Sequence, residues 1–365
     1  MNHHDVVEAQ GEWKHEPFSG DIAEGKVWGR GTLDTKGGLW GMLQASEELA
    51  KEGFVPNIDI YYESACTEEV GGEGADFISK ELQRRGIKFS MVLDEGGMIM
   101  YEPIGGAKGT FAMVGMGEKG CAELKFTARG NGGHASTPEK DSPLVRLGKF
   151  MAEVDSSQIF DLELSPVIQE MFTRIAPSVN GALGKIFANT NNLGFILKKV
   201  MPKTSAVANA LLQTTIAFTM ASGSDGRNVI PAEAWVIGNM RVSHHQGYES
   251  SLLAIKKVAD KYDLETEVLE PAIDSPLADF SGEGFKLIEE AVSSAFPGVV
   301  SVPYIMTGAS DARFMSRVCD NCFHFVPFII SEEQMESIHG LNECVDLDTL
   351  APAVDFYKYV IKEAK

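Results

Sequence analysis

Apolar and polar positions along this chain fall into two textures, and the switches between them divide it into two domains. Residues 57–65 form a short apolar-rich run that predicts a buried strand. It ends in Cys66-Thr-Glu-Glu-Val-Gly-Gly72, after which 73–85 carries apolar residues at helical spacing and stops at Gly86. A similar unit comes earlier. Lys26-Val-Trp28 leads through Gly29-Arg-Gly-Thr-Leu-Asp34-Thr-Lys-Gly-Gly38 into a helical pattern over 39–52. Residues 88–93 predict another strand, ending in Asp94-Glu95-Gly-Gly97. From about Phe111 the pattern becomes alternating, as in half-exposed antiparallel strands, over 121–128, 213–220 and 233–242, with helices near 143–154 and 247–261. After Asp274-Ser-Pro-Leu277 the first texture returns, with a helix at 282–295, a strand within 323–330 and a last helix near 347–363. The expected class is α/β: a mostly parallel sheet with helices on both faces, built from 1–115 and 275–365 and interrupted by an α+β domain over 116–274.

Composition narrows the function. With 52 acidic against 32 basic residues the formal charge is −20, which argues against nucleic acid or anionic membrane as partner. Five scattered cysteines, including the Cys319-Asp-Asn-Cys322 pair, read as reduced thiols in a cytoplasmic protein. Neither a signal peptide nor a membrane-spanning run is recognised. Residues 193–218 are instead expected to be a helical pair running into a strand, since Lys198, Lys199, Pro202 and Lys203 interrupt them.

Chemistry gathers at the strand ends. Glu68 and Glu69, Asp94 and Glu95, and Asp34 all lie in glycine-rich turns that an open α/β sheet brings to one edge. Crowding these carboxylates without cations would cost several kcal/mol, so divalent metal is the natural counterion. Three histidines lie in polar segments: His3, two residues before Asp5; His134, in a glycine turn; and His339, in a late loop. Alone, each is an ordinary surface or terminal histidine. A phosphate loop is not supported, because Gly29-Arg-Gly31 lacks both the G-x-G-x-x-G spacing and a Walker ending.

Taken in order, His3-His4-Asp5-Val-Val, Gly29-Arg-Gly-Thr-Leu-Asp34, Glu68-Glu69-Val-Gly-Gly, Asp94-Glu95-Gly, Gly133-His134-Ala-Ser, Asn228-Val-Ile-Pro and Ile338-His339-Gly-Leu-Asn-Glu resemble the M20 family of di-metal peptidases and amidohydrolases. The resemblance covers nearly the whole chain. It implies two divalent ions, most simply Zn²⁺ with Co²⁺ or Mn²⁺ as alternatives, held by His3, His339, a bridging Asp34, Glu69 and one of Asp94 or Glu95. Glu68 would be the general base, Asp5 would orient His3, and metal-activated water would cleave an amide or peptide bond. The inserted domain would be a ferredoxin-like lid that also makes a homodimer. His134 would then reach the neighbouring subunit's site to stabilise the oxyanion, while Asn228 and Arg241 would hold the substrate. Substrates would be small peptides or N-acyl amino acids with a free carboxylate, with a lean towards the carboxypeptidase S group. The family places a helix and strands before its His-x-Asp motif. A truncated catalytic domain with His3 on a loose terminus is therefore expected, and an inactive dimeric binding protein is the alternative.

Overall fold

Thr110–Glu118 is buried at every position but its first, the pattern of a strand covered on both faces. In the computed structural model, which describes all 365 residues, it lies inside a six-stranded sheet. Val300–Met306 runs parallel to it and Ile99–Tyr101 antiparallel. Cys322–His324 meets it where His324 faces Gly115, and continues parallel to Val92–Asp94. Ile329–Ile330 is parallel to Ile99–Tyr101 at the far edge. The expected α/β class forms, with a mixed sheet whose parallel pairs are joined through antiparallel ones.

This sheet belongs to the first of two units, Met1–Glu118 with Pro166–Gly194 and Pro276–Lys365. Leu33, Met98, Val326, Phe328, Val345 and Ala353 form one of its cores. Helices Lys36–Lys51 and Leu347–Glu363 pack closely, and a β-carbon at Gly41 would lie 3.1 Å from the Tyr357 ring. The stretch expected as a strand over 57–65 contributes only Ser64–Ala65, because the parallel partner beside it, Asn2–His3, is two residues long.

The expected insertion boundaries need correction. Pro166–Ile175 buries Val167, Ile168, Met171, Phe172 and Ile175 within the first unit, and its Arg174 donates to the Ser301 carbonyl and pairs with Glu289. The insertion is therefore not continuous: Pro166–Gly194 returns to the first unit.

The second unit comprises Lys119–Ser165 and Phe195–Ser275. Its elements run strand Gly120–Arg129, helix Pro143–Ser156, strands Thr215–Ser222 and Glu233–Val242, helix Tyr248–Lys261, strand Leu264–Glu270. The sheet is antiparallel throughout, with Thr215–Ser222 at one edge, then Glu233–Val242, Gly120–Arg129 and Leu264–Glu270. That order is the ferredoxin-like arrangement. Alternation puts Leu124, Phe126, Val236 and Met240 on the inner face, where Phe126 meets Phe150 of the first helix at 4.7 Å between ring centres. The expected helical pair is present as Thr190–Val200 and Ala206–Leu212. No helix of the chain is long and apolar enough to cross a membrane.

Candidate active site

His3 is firmly held rather than loose. Its strand pairs with Ser64–Ala65, the Met1 ammonium donates to the Leu93 carbonyl at 2.6 Å, and the Asn2 amide donates to the Thr35 carbonyl at 2.8 Å. The imidazole is 1% exposed. Its Nδ1 faces the Asp5 carbonyl at 3.0 Å and an Asp5 carboxylate oxygen at 3.4 Å, so Nε2 points at Asp34 Oδ1, 3.0 Å away. The other oxygen of Asp34 lies 2.9 Å from His339 Nε2, which is also 3.1 Å from Glu69. One carboxylate thus spans two imidazoles contributed from opposite ends of the chain.

Local structure sets each group. Asp34 ends a turn just before helix Lys36–Lys51. Glu68 and Glu69 form a single 3₁₀ turn, Glu68–Val70, which Gly71 and Gly72 leave at φ of 123° and 76°, values that suit glycine. Asp5 accepts from the Glu69 N–H at 3.1 Å, tying the His3 segment to that turn. His339 follows helix Glu332–Ser337, which a reciprocal Ser331–Gln334 capping box fixes. Asp94 and Glu95 diverge. Asp94 is buried, accepting from the Ser310 hydroxyl at 3.0 Å and the Ala312 N–H at 2.9 Å. Glu95 lies 3.9 Å from His3 Nε2. Donor atoms of His3, Asp34 and Glu69 fall within 4.8 Å of one another, as do those of His3, Glu68 and Glu95.

Electrostatics test whether this set suits cations. Burial disfavours a charged His3, yet its hydrogen bond to Asp34 and the charges of Glu95, Asp34 and Glu68 raise it to about 10. His339 is raised chiefly by its hydrogen bond to Asp34. Burial pushes Glu68 up to about 7, and lifts Glu95 well above the carboxylate range, with Asp34 and Asp94 adding. The site balances its carboxylates by taking up protons, on imidazoles and on the acids themselves. Imidazole nitrogens and carboxylate oxygens packed this closely, with excess negative charge, fit two divalent cations.

A family model described as Peptidase family M20/M25/M40 matches residues 1–363. The chain belongs to this family. Among M20 relatives, the probable carboxypeptidase S-like 2 of Dictyostelium discoideum is 30% identical over 97% of this chain and 68% of its own length. The N-fatty-acyl-amino acid synthase/hydrolase PM20D1 of Xenopus tropicalis is 30% identical over 100% of this chain and 72% of its own. The crystal structure of an M20 family metallo-carboxypeptidase, Sso-CP2 from Sulfolobus solfataricus, shares the fold at a TM-score of 0.69, with 18% identity over 99% of this chain and 83% of that one. The protein is thus an M20-type enzyme, and membership implies divalent metal ions.

The remaining candidates of this M20 chain lie in the second unit, at two places. His134 pairs across a short ladder with Val229, and the Ala135 N–H donates to the Asn228 carbonyl at 3.0 Å, so His134 and Asn228 are neighbours. His134 Nδ1 accepts from the Ser136 N–H at 3.1 Å, which leaves Nε2–H as an exposed donor. Arg241 is elsewhere. It faces Cys121, whereas the ladder end nearest His134 is Glu233 opposite Arg129. Eight residues of strand separate these ends, about 26 Å.

Several positioning groups escaped sequence reasoning. Glu343, fully buried, accepts from Arg30 at 2.7 Å and from the N–H groups of Gly31, Leu33 and Asp34 at 3.0, 2.8 and 3.1 Å. Arg30 also donates to the Gly340 carbonyl at 2.6 Å, so this pair locks the Asp34 turn to the His339 loop. The signal was present: Arg30 sits inside one motif and Glu343 ends another. Ser310, which bonds Asp94, also donates its N–H to Glu118 at 2.6 Å. Nothing local in sequence pairs those two.

The charge balance predicts how metal-free protein responds to pH. His3 has a folded pKa above its unfolded value, so its stabilisation is complete below about 6.5 and lost as pH climbs towards 10. Glu68, also raised, makes the folded state bind more protons than the unfolded one between about 4.5 and 7, so stability again falls with rising pH. Asp34 is held below its usual range, and its contribution fades only in acid. Urea midpoints in chelator should therefore drop from about pH 6 to about pH 9, with the loss restored by added zinc. A midpoint that stays level or rises over that range would contradict the charge balance.

Proposed function

We propose that this M20 enzyme hydrolyses the amide bond joining an acyl or aminoacyl group to a C-terminal amino acid, with Glu68 as general base. The observation that carries this reading is Glu68 itself. Its carboxylate lies with His3 and Glu95, makes no hydrogen bond, and is pushed by burial up to about 7. A group so poised can take a proton from water and return it to the leaving amine near neutral pH. His3, Glu95 and Asp34 would hold one cation and His339, Glu69 and Asp34 the other, with Zn²⁺ favoured by the mixed nitrogen and oxygen donors. When bound, such ions polarise a carbonyl and acidify water. Asp5 keeps His3 in one tautomer by accepting at Nδ1.

Substrate recognition falls to the second unit. Arg241 has its Nε committed to Asn239 at 2.9 Å, which leaves its two terminal nitrogens for bidentate capture of a free carboxylate. His134 offers Nε2–H, and Asn228 its amide, to a carbonyl oxygen that becomes negative in the transition state. Because His134 lies by the Glu233 end of that strand and Arg241 about 26 Å along it, the two serve one small substrate most readily when they come from different subunits. That supports a homodimer in which each site uses His134 and Asn228 of the partner subunit. The carboxypeptidase S-like and N-fatty-acyl-amino acid relatives support the same substrate class. The test is a screen of N-acyl amino acids and dipeptides, each as free acid and as C-terminal amide, with zinc or cobalt. Free acids should be preferred by roughly 100-fold in kcat/KM, as expected when a charge-assisted pair is lost. Equal turnover of acids and amides would rule out the assignment of Arg241.

A further inference from the structure

Between Glu170 and Asp225 the chain has no acidic residue and five basic ones, in a protein of formal charge −20. Three of the five, Lys198, Lys199 and Lys203, lie on helix Thr190–Val200 and the 3₁₀ turn that follows it, Met201–Lys203. None of these three forms an ion pair, whereas Lys26, Lys80, Lys261 and Lys358 each find a carboxylate. Apolar side chains are interleaved with them on the outside. Phe195 is 67% exposed, Val200 48% and Val207 67%. Phe195 precedes Lys198 and Lys199 by three and four residues, so the ring and both ammonium groups share one helix face. The inner side of the segment is already satisfied, since Leu197, Met201 and Leu212 are buried.

We propose that this segment is a docking surface for an anionic lipid interface. Lysines flanking exposed aromatic and aliphatic side chains match what such an interface offers: headgroup phosphates for the ammonium groups and an acyl boundary for Phe195, Val200 and Val207. A nucleic acid would satisfy the lysines but leave the two valines in water. Taken over the whole chain, the net charge of −20 argues against an anionic membrane, but it does not oppose docking at this segment, because at physiological ionic strength the field of distant carboxylates is screened beyond roughly 8 Å. It instead fixes orientation, since faces rich in acid are repelled by the same surface. Helix Thr190–Val200 is too short to cross a bilayer, so this segment would lie along the interface.

Vesicle flotation of the full chain tests this, with phosphatidylcholine alone and with equal parts phosphatidylcholine and phosphatidylglycerol. The protein should float with the anionic vesicles only, and molar salt should release much of it. Each lysine near such a surface strengthens binding by roughly fivefold, so the triple variant Lys198→Glu, Lys199→Glu, Lys203→Glu should weaken it by roughly 100-fold or more. Phe195→Ser should weaken it by roughly tenfold at unchanged salt dependence. Phe195, Lys199 and Lys203 are exposed and Lys198 is half-buried with no ion-pair partner, and both variants should keep the parent's thermal melt. Equal binding to neutral vesicles, or variants that bind as the parent does, would overturn the proposal. So would absence of vesicle binding together with a concentration-dependent dimer that Phe195→Ser abolishes, which would make the face an interface between copies.

Discussion

Glu68→Ala is expected to lower kcat by roughly 10²–10⁴-fold, the range for loss of a positioned general base, with the metal content unchanged. The separation matters because Glu68 and its neighbour Glu69 are chemically identical and differ only in where the 3₁₀ turn points them. Glu69 reaches His339 at 3.1 Å and is braced by the Val7 N–H at 3.3 Å. Glu68 has no such partner and sits near neutrality. Glu69→Ala should therefore remove metal as well as activity. Plasma emission spectroscopy of dialysed protein distinguishes the two variants. Full turnover by Glu68→Ala, or loss of metal from it, would show that the roles are wrongly assigned. Glu68→Gln should resemble the alanine variant, since an amide fills the space but accepts no proton.

The second large effect is expected at Glu343, which touches no substrate. Truncating it to alanine leaves the Arg30 guanidinium buried and uncompensated and three backbone N–H groups without an acceptor. Breaking a buried pair this way costs about 3–5 kcal/mol, which urea unfolding should register. The double variant Arg30→Met, Glu343→Leu removes both charges and should regain part of that stability. It should not regain zinc affinity, because the Gly31, Leu33 and Asp34 amides still lack the carboxylate that sets the turn. Stability and affinity recovering together would mean that Glu343 serves packing alone.

Which features could be read from the sequence depended on how local their causes are. The Glu68–Glu69 turn and the helix after it were recognisable because glycines, helical spacing and the closing Gly86 all lie within twenty residues. The second unit's alternating strands were recognisable for the same reason, and Glu233–Val242 forms over the expected residues. The different surroundings of Asp94 and Glu95 were not, since Ser310 and Ala312, which bond Asp94, lie more than two hundred positions away. Likewise Pro166–Ile175 has an ordinary amphipathic pattern, and nothing in it says which unit its apolar face will meet. The expected looseness of His3 failed because a two-residue ladder and the Met1 ammonium were enough to hold it.

The carboxylate of Asp34 also has a consequence for synthesis. Its two imidazole neighbours, His3 and His339, lie far apart in the sequence, and the glutamate that shapes its turn comes four residues after the second of them. A nascent chain can fold much of both units before His339 emerges, yet it has no assembled centre until then. The centre therefore assembles only once His339 and Glu343 have joined the folded His3 and Asp34 segments, and chains released before that point would lack it.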